Sequence, residues 1–205
     1  RMLREGRAQA GELAFWDEEL VREGTWITWR RWEVMEALAP SCDEHHRQLS
    51  SPEDDLRVEY RPSIPVGDGL PATEDRFRES LAAAGQRERA TASTAVGPHR
   101  DDFYLRINEV NMGTFASRGQ ARTLALTLRL AEAAYLASVR GEGPIILLDD
   151  VLSELDAQRG KRVLEKATQY EQTLITTTEP EHIRGFFGPA ATYFSVTSGG
   201  VNPCR

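Results

Sequence analysis

Two adjacent carboxylates, directly after a short apolar run, are the residues of this chain best placed to do chemistry. The run spans Ile145 to Leu148, and Asp149 and Asp150 follow it. An apolar run of this length predicts a strand buried on both faces, and open α/β sheets bind ligands at the carboxyl ends of such strands. There one carboxylate could hold magnesium while a second orients or deprotonates a water that attacks a phosphate. The alternative is an acidic loop whose aspartates serve as turn residues or helix caps.

A second candidate site lies where a helix is predicted to begin. Residues Ala121 to Arg140 are apolar on nearly all sides, which predicts a helix buried between layers. Just before it, Ser117 is a favoured N-cap and Gly119 would let a ligand approach the backbone. The free N–H groups and the positive dipole end of a helix bind phosphate readily. The alternative is an ordinary capped helix without a ligand.

Four consecutive ionisable residues, His99 to Asp102, stand beside a predicted strand at residues 103–107. Charged groups packed this closely form either a buried polar network or a functional site. The spacing does not distinguish the two, and both interpretations stay open at this point.

The bulk composition limits the class of protein. The chain has 205 residues, 40% of them hydrophobic, and a net charge of -7, so it is not a uniformly basic nucleic-acid binder. Its two cysteines, Cys42 and Cys204, lie far apart and have no metal-ligand spacing, which predicts a reducing compartment and hence the cytoplasm. No apolar run is long enough to span a bilayer, and no membrane association is expected.

The elements around these motifs fall into two regions. Residues 1–90 are predicted to be a mainly helical subdomain, with interruptions of the first helix at Gly24 and Pro40 and a strand at residues 56–60. Composition changes near residue 91. Residues 91–205 then predict a hairpin, the apolar helix, and a strand–helix–strand–helix–strand series whose three strands form a parallel sheet.

Taken together and in order, the motifs resemble those of ABC-type ATPases. Within that class they resemble the RecF family of bacterial DNA replication and repair proteins. Ser117-Arg118-Gly119-Gln120 is similar to the ABC signature, Ile145 to Asp150 to a Walker B strand, and Ser153-Glu154-Leu155-Asp156 to a D-loop. The blocks at residues 97–102, 147–156 and 175–178 are those that resemble RecF.

The resemblance implies an α/β fold: the C-terminal lobe of an ABC-type, SMC-like ATPase head at residues 91–205, with a parallel sheet and flanking helices, beside the helical subdomain. It implies that Asp149 holds Mg2+ and that Asp150 is the catalytic base that orients water. The residues implied to touch nucleotide bound by the opposite subunit are Ser117, Arg118, Gly119 and Gln120. Ser153 and Asp156 would work in the D-loop across the dimer interface, and Thr177 stands at the switch position, where transporters have a histidine.

The resemblance also implies cofactors and partners. These are ATP and Mg2+, single- and double-stranded DNA, the proteins RecR and RecO, and an ATP-dependent homodimer, in a cytoplasmic protein that helps load recombinase at gapped DNA. Two alternatives remain. One is another SMC-like or transporter ATPase, although long heptad arms are absent. The other is a non-hydrolysing module that binds DNA or protein.

One expected motif is missing from the printed sequence. No G-x-x-x-x-G-K-[ST] phosphate loop is present, and the chain opens in what reads as the middle of a helix. We therefore expect a C-terminal portion of a longer protein, with the nucleotide-cradling half upstream.

We predict that these 205 residues alone neither bind ATP tightly nor hydrolyse it. The physical reason is that β- and γ-phosphate binding depends on the lysine and backbone amides of a phosphate loop. Isothermal titration calorimetry of ATP with Mg2+ tests this, and we expect a dissociation constant well above the micromolar range. Micromolar affinity would contradict the prediction.

Overall fold

The computed structural model describes residues 10–204, so the first nine residues of the predicted N-terminal helix lie outside the described range. Its helices are α1 (Ala10–Leu49), α2 (Leu70–Thr91), α3 (Met112–Phe115), α4 (Arg118–Arg140), α5 (Ala157–Ala167) and α6 (Pro180–Phe187). Its strands are β1 (Leu56–Arg61), β2 (Asp102–Ile107), β3 (Val110–Asn111), β4 (Ile146–Asp149), β5 (Thr173–Thr176), β6 (Phe194–Thr197) and β7 (Gly200–Pro203).

Helix α1 is continuous for 40 residues, about 60 Å, so the predicted interruptions at Gly24 and Pro40 are wrong. Gly24 serves close packing instead: a Cβ there would lie 2.6 Å from Cε2 of Phe77 in α2. Pro40 removes one intrahelical hydrogen bond, and the apolar contacts made on both sides of it hold the helix together. The packing of α1 overrides the local preference of these two residues.

Three apolar clusters lie along α1, and each contains one of its residues. The first joins α1 to α2, the second joins α1 to β1, β2 and α4, and the third joins the end of α1 to α4, β4 and α5. The α1 members of the three clusters are Val21, Cys42 and Leu49, each at most 3% exposed. Helix α1 therefore takes part in all three clusters.

Strands β1, β2 and β3 form an antiparallel sheet in which Leu56 pairs with Ile107. The predicted hairpin is confirmed: Asn108 and Glu109 both have positive φ, 49° and 67°, as a tight two-residue turn requires. Strand β1 precedes residue 90 and β2 follows it. The predicted regions 1–90 and 91–205 thus share a sheet, and their division into domains stays a prediction.

The parallel strands are fewer than the sequence predicts. Strands β4 and β5 pair in parallel, with Asp149 opposite Thr176. Strand β6 does not join them but pairs antiparallel with β7. The reason is local, because Ser198 and Gly199 both adopt positive φ and close a two-residue hairpin turn between β6 and β7. The prediction of a third parallel strand is wrong, whereas the α/β class with helices flanking a parallel pair is confirmed.

Strand β4 is buried on one face only, so the predicted burial of both faces is wrong. Leu148 is 7% exposed and packs against the third cluster, whereas Ile145 is 59% and Leu147 is 71% exposed. Leu147 lies opposite Leu174 of β5, which is 49% exposed. We call Ile145, Leu147 and Leu174 the open face of the parallel pair.

Among residues 10–204, no helix has both the length and the apolar composition needed to cross a lipid bilayer.

We predict that Gly24→Ala destabilises the chain by about 1–3 kcal/mol, because the added methyl group overlaps the Phe77 ring and forces α1 and α2 apart. Thermal unfolding followed by circular dichroism measures the change. Gly85→Ala is the matched control, since its Cβ would meet only Arg89 Nη2 at 3.6 Å. In a helix interior, replacing glycine by alanine gains up to about 1 kcal/mol. Equal effects of the two substitutions would contradict the packing role of Gly24.

Candidate functional site

The start of α4 is closed by a reciprocal pair of hydrogen bonds. The Ser117 hydroxyl accepts from the Gln120 backbone N–H at 3.2 Å, and the Gln120 side-chain oxygen accepts from the Ser117 N–H at 2.9 Å. Ser117 is therefore the N-cap, as predicted, and this capping box fixes the turn. Arg118 and Gly119 lie in the first turn, where backbone N–H groups have no acceptor within the helix. The turn thus presents N–H groups and a positive dipole end at the surface.

Buried threonines connect this turn to α1. The Thr123 hydroxyl donates to the Gly119 carbonyl at 3.0 Å, and the Thr127 hydroxyl donates to the Thr123 carbonyl at 2.8 Å. Nδ1 of His46, on α1, lies 3.4 Å from the Thr127 hydroxyl oxygen, and its Nε2 lies 3.2 Å from Oδ2 of Asp54. His46 and both threonines are at most 3% exposed. These buried contacts connect the start of α4 to the end of α1.

Burial lowers the pKa of His46 below its ordinary value, and the nearby Asp54 carboxylate opposes that shift only in part. The neutral imidazole is therefore the form that the folded chain favours. In the unfolded chain the same ring takes up a proton more readily.

The two acids at the end of β4 are held by Thr176, which the sequence patterns did not single out individually. The Thr176 hydroxyl donates to Oδ1 of Asp149 at 2.5 Å and accepts from the Asp150 backbone N–H at 3.1 Å. The Asp150 N–H also lies 3.2 Å from the Thr176 carbonyl oxygen. Because Thr176 ends the neighbouring parallel strand, opposite Asp149, one hydroxyl holds the carboxylate of Asp149 and the backbone of Asp150. The feature of the sequence that could have identified Thr176 is its position directly after the apolar residues of β5.

Asp150 adopts the left-handed conformation, with φ 50° and ψ 27°. This region is sparsely populated by residues other than glycine and typically costs about 1–3 kcal/mol, although aspartate tolerates it better than most. The Ser153 hydroxyl donates to the Asp150 carbonyl at 2.9 Å and holds the turn. Within residues 10–204 no side chain pairs with the exposed Asp150 carboxylate. The turn thus supplies an ionisable group that is free to act on a ligand.

The predicted D-loop leads into α5 and lies beside the start of α4. Oδ1 of Asp156 accepts from the Arg159 N–H at 2.9 Å and caps α5. That hydrogen bond is the main cause that lowers the pKa of Asp156, so this carboxyl is ionised. The Arg159 guanidinium lies 3.6 Å from Asp156, and its Nη1 is 3.3 Å from where a Cβ of Gly119 would stand. No pattern in the sequence singles out Arg159.

Thr177, predicted at the switch position, lies next to Thr176 in the chain. Its hydroxyl accepts from the Glu179 N–H at 3.0 Å in the turn before α6. The contact with the acids is made by Thr176 rather than by Thr177. A switch role of Thr177 stays a prediction.

The ionisable cluster at His99 to Asp102 contains a buried network around Asp101, whose side chain is 2% exposed. Its carboxylate accepts from the Tyr60 hydroxyl at 2.5 Å, from the Ser63 N–H at 2.8 Å and from Arg31 at 3.3 Å. Burial, and then the bond to Asp101, raises the pKa of Tyr60. These contacts join α1, β1 and β2. For Asp101 they favour the structural interpretation that the sequence left open.

The donor set at the end of β4 fits a magnesium ion that is shared with a phosphate. No group of three or more His, Cys, Asp or Glu side chains able to hold a metal occurs among residues 10–204. Magnesium in nucleotide sites is bound by one or two carboxylates, with phosphate oxygens and water completing the shell. The exposed Asp149 carboxylate meets that requirement.

Comparison with known proteins gives consistent relatives. No protein-family model matches the chain. The chain is 43% identical over 176 residues to a DNA replication and repair protein RecF from Cyanothece sp., covering 85% of this chain and 47% of that protein. It is 40% identical over 207 residues to RecF from Thermosynechococcus vestitus, covering 98% and 54%. The chain thus spans about half the length of the curated relatives it matches.

Solved structures give the same result. The structure of the recombination mediator protein RecF with ATPrS, in the RecFOR pathway, superposes with a TM-score of 0.82 at 30% identity, covering all of this chain and 53% of that one. RecF with ATP superposes with a TM-score of 0.81 at 28% identity. A structure from a study of SMC ATPases matches with a TM-score of 0.50 at 14% identity and 88% coverage of both chains, which shows a shared fold alone.

We predict that the free energy of unfolding falls as pH drops below about 6.5, the ordinary pKa of histidine. The pKa of His46 is lower in the folded chain, so the unfolded chain binds more protons in this window and stability rises with pH. One such group contributes a slope of at most about 1.4 kcal/mol per pH unit. Urea unfolding between pH 5 and about pH 8 measures it.

His46→Gln should remove this component of the slope, whereas His182→Gln, at a side chain 79% exposed, should keep it. Parallel stability curves for the wild type and His46→Gln across the whole range would contradict the prediction.

Proposed function

We propose that this chain supplies half of the hydrolytic site of an ATP-dependent DNA repair protein. The premise is that the chain belongs to the RecF family of DNA replication and repair proteins and corresponds to its C-terminal half. The observation that carries the proposal is the pair of exposed acids at the end of β4. One of them is oriented by Thr176, and the other stands in a strained turn with its carboxylate free.

Each of the two acids would have its own role. Asp149 would hold Mg2+, because its carboxylate is exposed and already oriented by a hydroxyl. Bound magnesium neutralises charge on the phosphate oxygens. Asp150 would orient the attacking water and accept its proton, since its carboxylate has no partner within the described residues and its turn is fixed by Ser153. Thr176 holds the carboxylate of the first acid and the backbone of the second, and so sets their relative position.

The signature and the D-loop would act on nucleotide bound by a second subunit. Ser117 to Gln120 present first-turn N–H groups and a helix dipole, which favour a negatively charged phosphate. Ser153 and Asp156 lie in the segment between the acids and α5. An ATP-dependent homodimer would bring these groups of one subunit to the acids of the other, with Thr177 close by as the switch residue.

The remaining half of the site would come from the part of the relatives that this chain does not match. The relatives are about twice as long as the matched region, and the printed sequence has no phosphate loop. The open face of the parallel pair supports the same arrangement, because exposed leucines on paired strands favour a covering layer. In the longer protein, residues 91–205 would form the ATPase lobe and residues 1–90 the helical subdomain.

The partners that we propose are those that the family relationship supports. Both solved RecF structures are described in the context of the RecFOR pathway, which supports RecO and RecR as partners and loading of recombinase at gapped DNA as the task, in the cytoplasm. Single- and double-stranded DNA would bind across the dimer surface. The chain has a net charge of -7, so we expect such contacts to be spread out and sensitive to salt.

A second candidate function is a non-hydrolysing module that binds DNA or protein, and the lack of a phosphate loop in the printed sequence favours it. The two proposals differ in what Asp150 does. In the module it is only a turn residue, so its carboxylate has no effect on turnover. In the ATPase, turnover depends on it.

We predict that Asp150→Asn lowers DNA-stimulated ATP hydrolysis by the longer protein at least about 10²-fold, the typical contribution of a positioned general base. Phosphate release at saturating ATP and DNA measures turnover, and nucleotide binding should be retained because Asp149 is unchanged. Asp68→Asn, an exposed loop aspartate, is the matched control and should hydrolyse ATP like the wild type. Unchanged hydrolysis by Asp150→Asn would exclude the assignment of the base.

A further inference from the structure

One cationic side chain stands between two motifs of the proposed site. Arg159 is the third residue of α5, and its Nη1 lies 3.3 Å from the position of a Cβ on Gly119, in the first turn of α4. Because position 119 is glycine, the guanidinium occupies this space without having to shift. Its Nε lies 3.6 Å from Oδ2 of Asp156. The arginine thus lies beside the signature turn on one side and pairs loosely with the D-loop carboxylate on the other.

The placement runs against the usual electrostatics of helices. The first turn of α4 is the positive end of its dipole, where an acidic side chain stabilises and a cation does not. The positive charge of Arg159 also reaches the interior, where it adds to the effect of burial in lowering the pKa of His46. An arginine beside a helix N-terminus concentrates positive charge at one point of the surface. Such a point favours a strongly negative ligand.

Stability does not account for the contact. The side chains of Arg159 and Asp156 are 31% and 56% exposed, and ion pairs this open to solvent contribute little to folding. Asp156 already caps α5 through the backbone N–H of Arg159, and that bond does not involve the guanidinium. The side chain of Arg159 can therefore be changed without removing the cap.

We propose that Arg159 is a positioning residue, which holds the signature turn at Gly119 and the D-loop carboxylate of Asp156 in fixed register so that both meet the nucleotide of the partner subunit together. The inference rests on the proposed function. It adds a link between two motifs that are 37 positions apart in the chain (156 − 119). Arginine suits this task, because its planar fork contacts two groups at fixed angles, whereas lysine presents a single flexible charge.

The test uses the longer protein, with the upstream half present, and the variants Arg159→Ala and Arg159→Lys. We expect Arg159→Ala to lower kcat about tenfold and to raise the ATP concentration needed for dimerisation, measured by phosphate release and light scattering. Arg159→Lys should recover only part of the loss. Lys161→Ala, an exposed residue on the same helix, is the matched control and should behave as the wild type.

A double-mutant cycle separates positioning from general stability. If Arg159 acts through Asp156, then Asp156→Asn and Arg159→Ala combined should lower kcat less than the product of their separate effects. The unfolding temperatures of the single variants should stay close to that of the wild type. If Arg159→Ala does not fold, the cycle is made with Arg159→Lys, which keeps charge and most of the packing.

The outcomes distinguish the two proposals. A wild-type protein that does not hydrolyse ATP would overturn both. An active wild type with unchanged kcat and dimerisation in Arg159→Ala would overturn the role of Arg159 alone. Multiplicative effects in the cycle would also overturn it, since they would show that Arg159 and Asp156 act independently.

Discussion

The burial of α4 between α1 and the parallel pair is the constraint on which the candidate site depends. Leu124 and Ala131 of α4 belong to the cluster with β1 and β2, whereas Leu130 belongs to the cluster with β4 and α5. Hydrogen bonds through Thr123 and Thr127 then tie the first turn of the helix to α1. A signature turn mounted on a helix held from several sides cannot shift alone. Any displacement of that turn must be shared with α1.

The parts of the structure that could be predicted from sequence are those that neighbouring residues decide. The capping of α4 by Ser117 and the acids after β4 follow from patterns a few residues long. The continuity of α1 through Gly24 and the departure of β6 from the parallel pair depend on contacts distant in sequence or on backbone angles that composition does not encode. Thr176 was missed for the same reason, because its role comes from strand register across 27 positions (176 − 149).

The candidate site holds the backbone of both acids in place but leaves the carboxylate of Asp150 without a partner among the described residues. The Thr176 hydroxyl orients the carboxylate of Asp149, whereas Asp150 has its backbone fixed and its carboxylate unpaired within residues 10–204. Folding alone gains nothing from an unpaired acid in a left-handed turn. The carboxylate of such a residue is available to a ligand.

The open face has a consequence for how such a protein is made. Strands β4 and β5 each leave one edge unpaired, and Leu147 and Leu174 lie side by side in water. Exposed strand edges with apolar side chains promote aggregation. A chain in which this face stays uncovered is therefore prone to self-association through β4 and β5. Chaperone protection during synthesis would matter until a covering layer is in place.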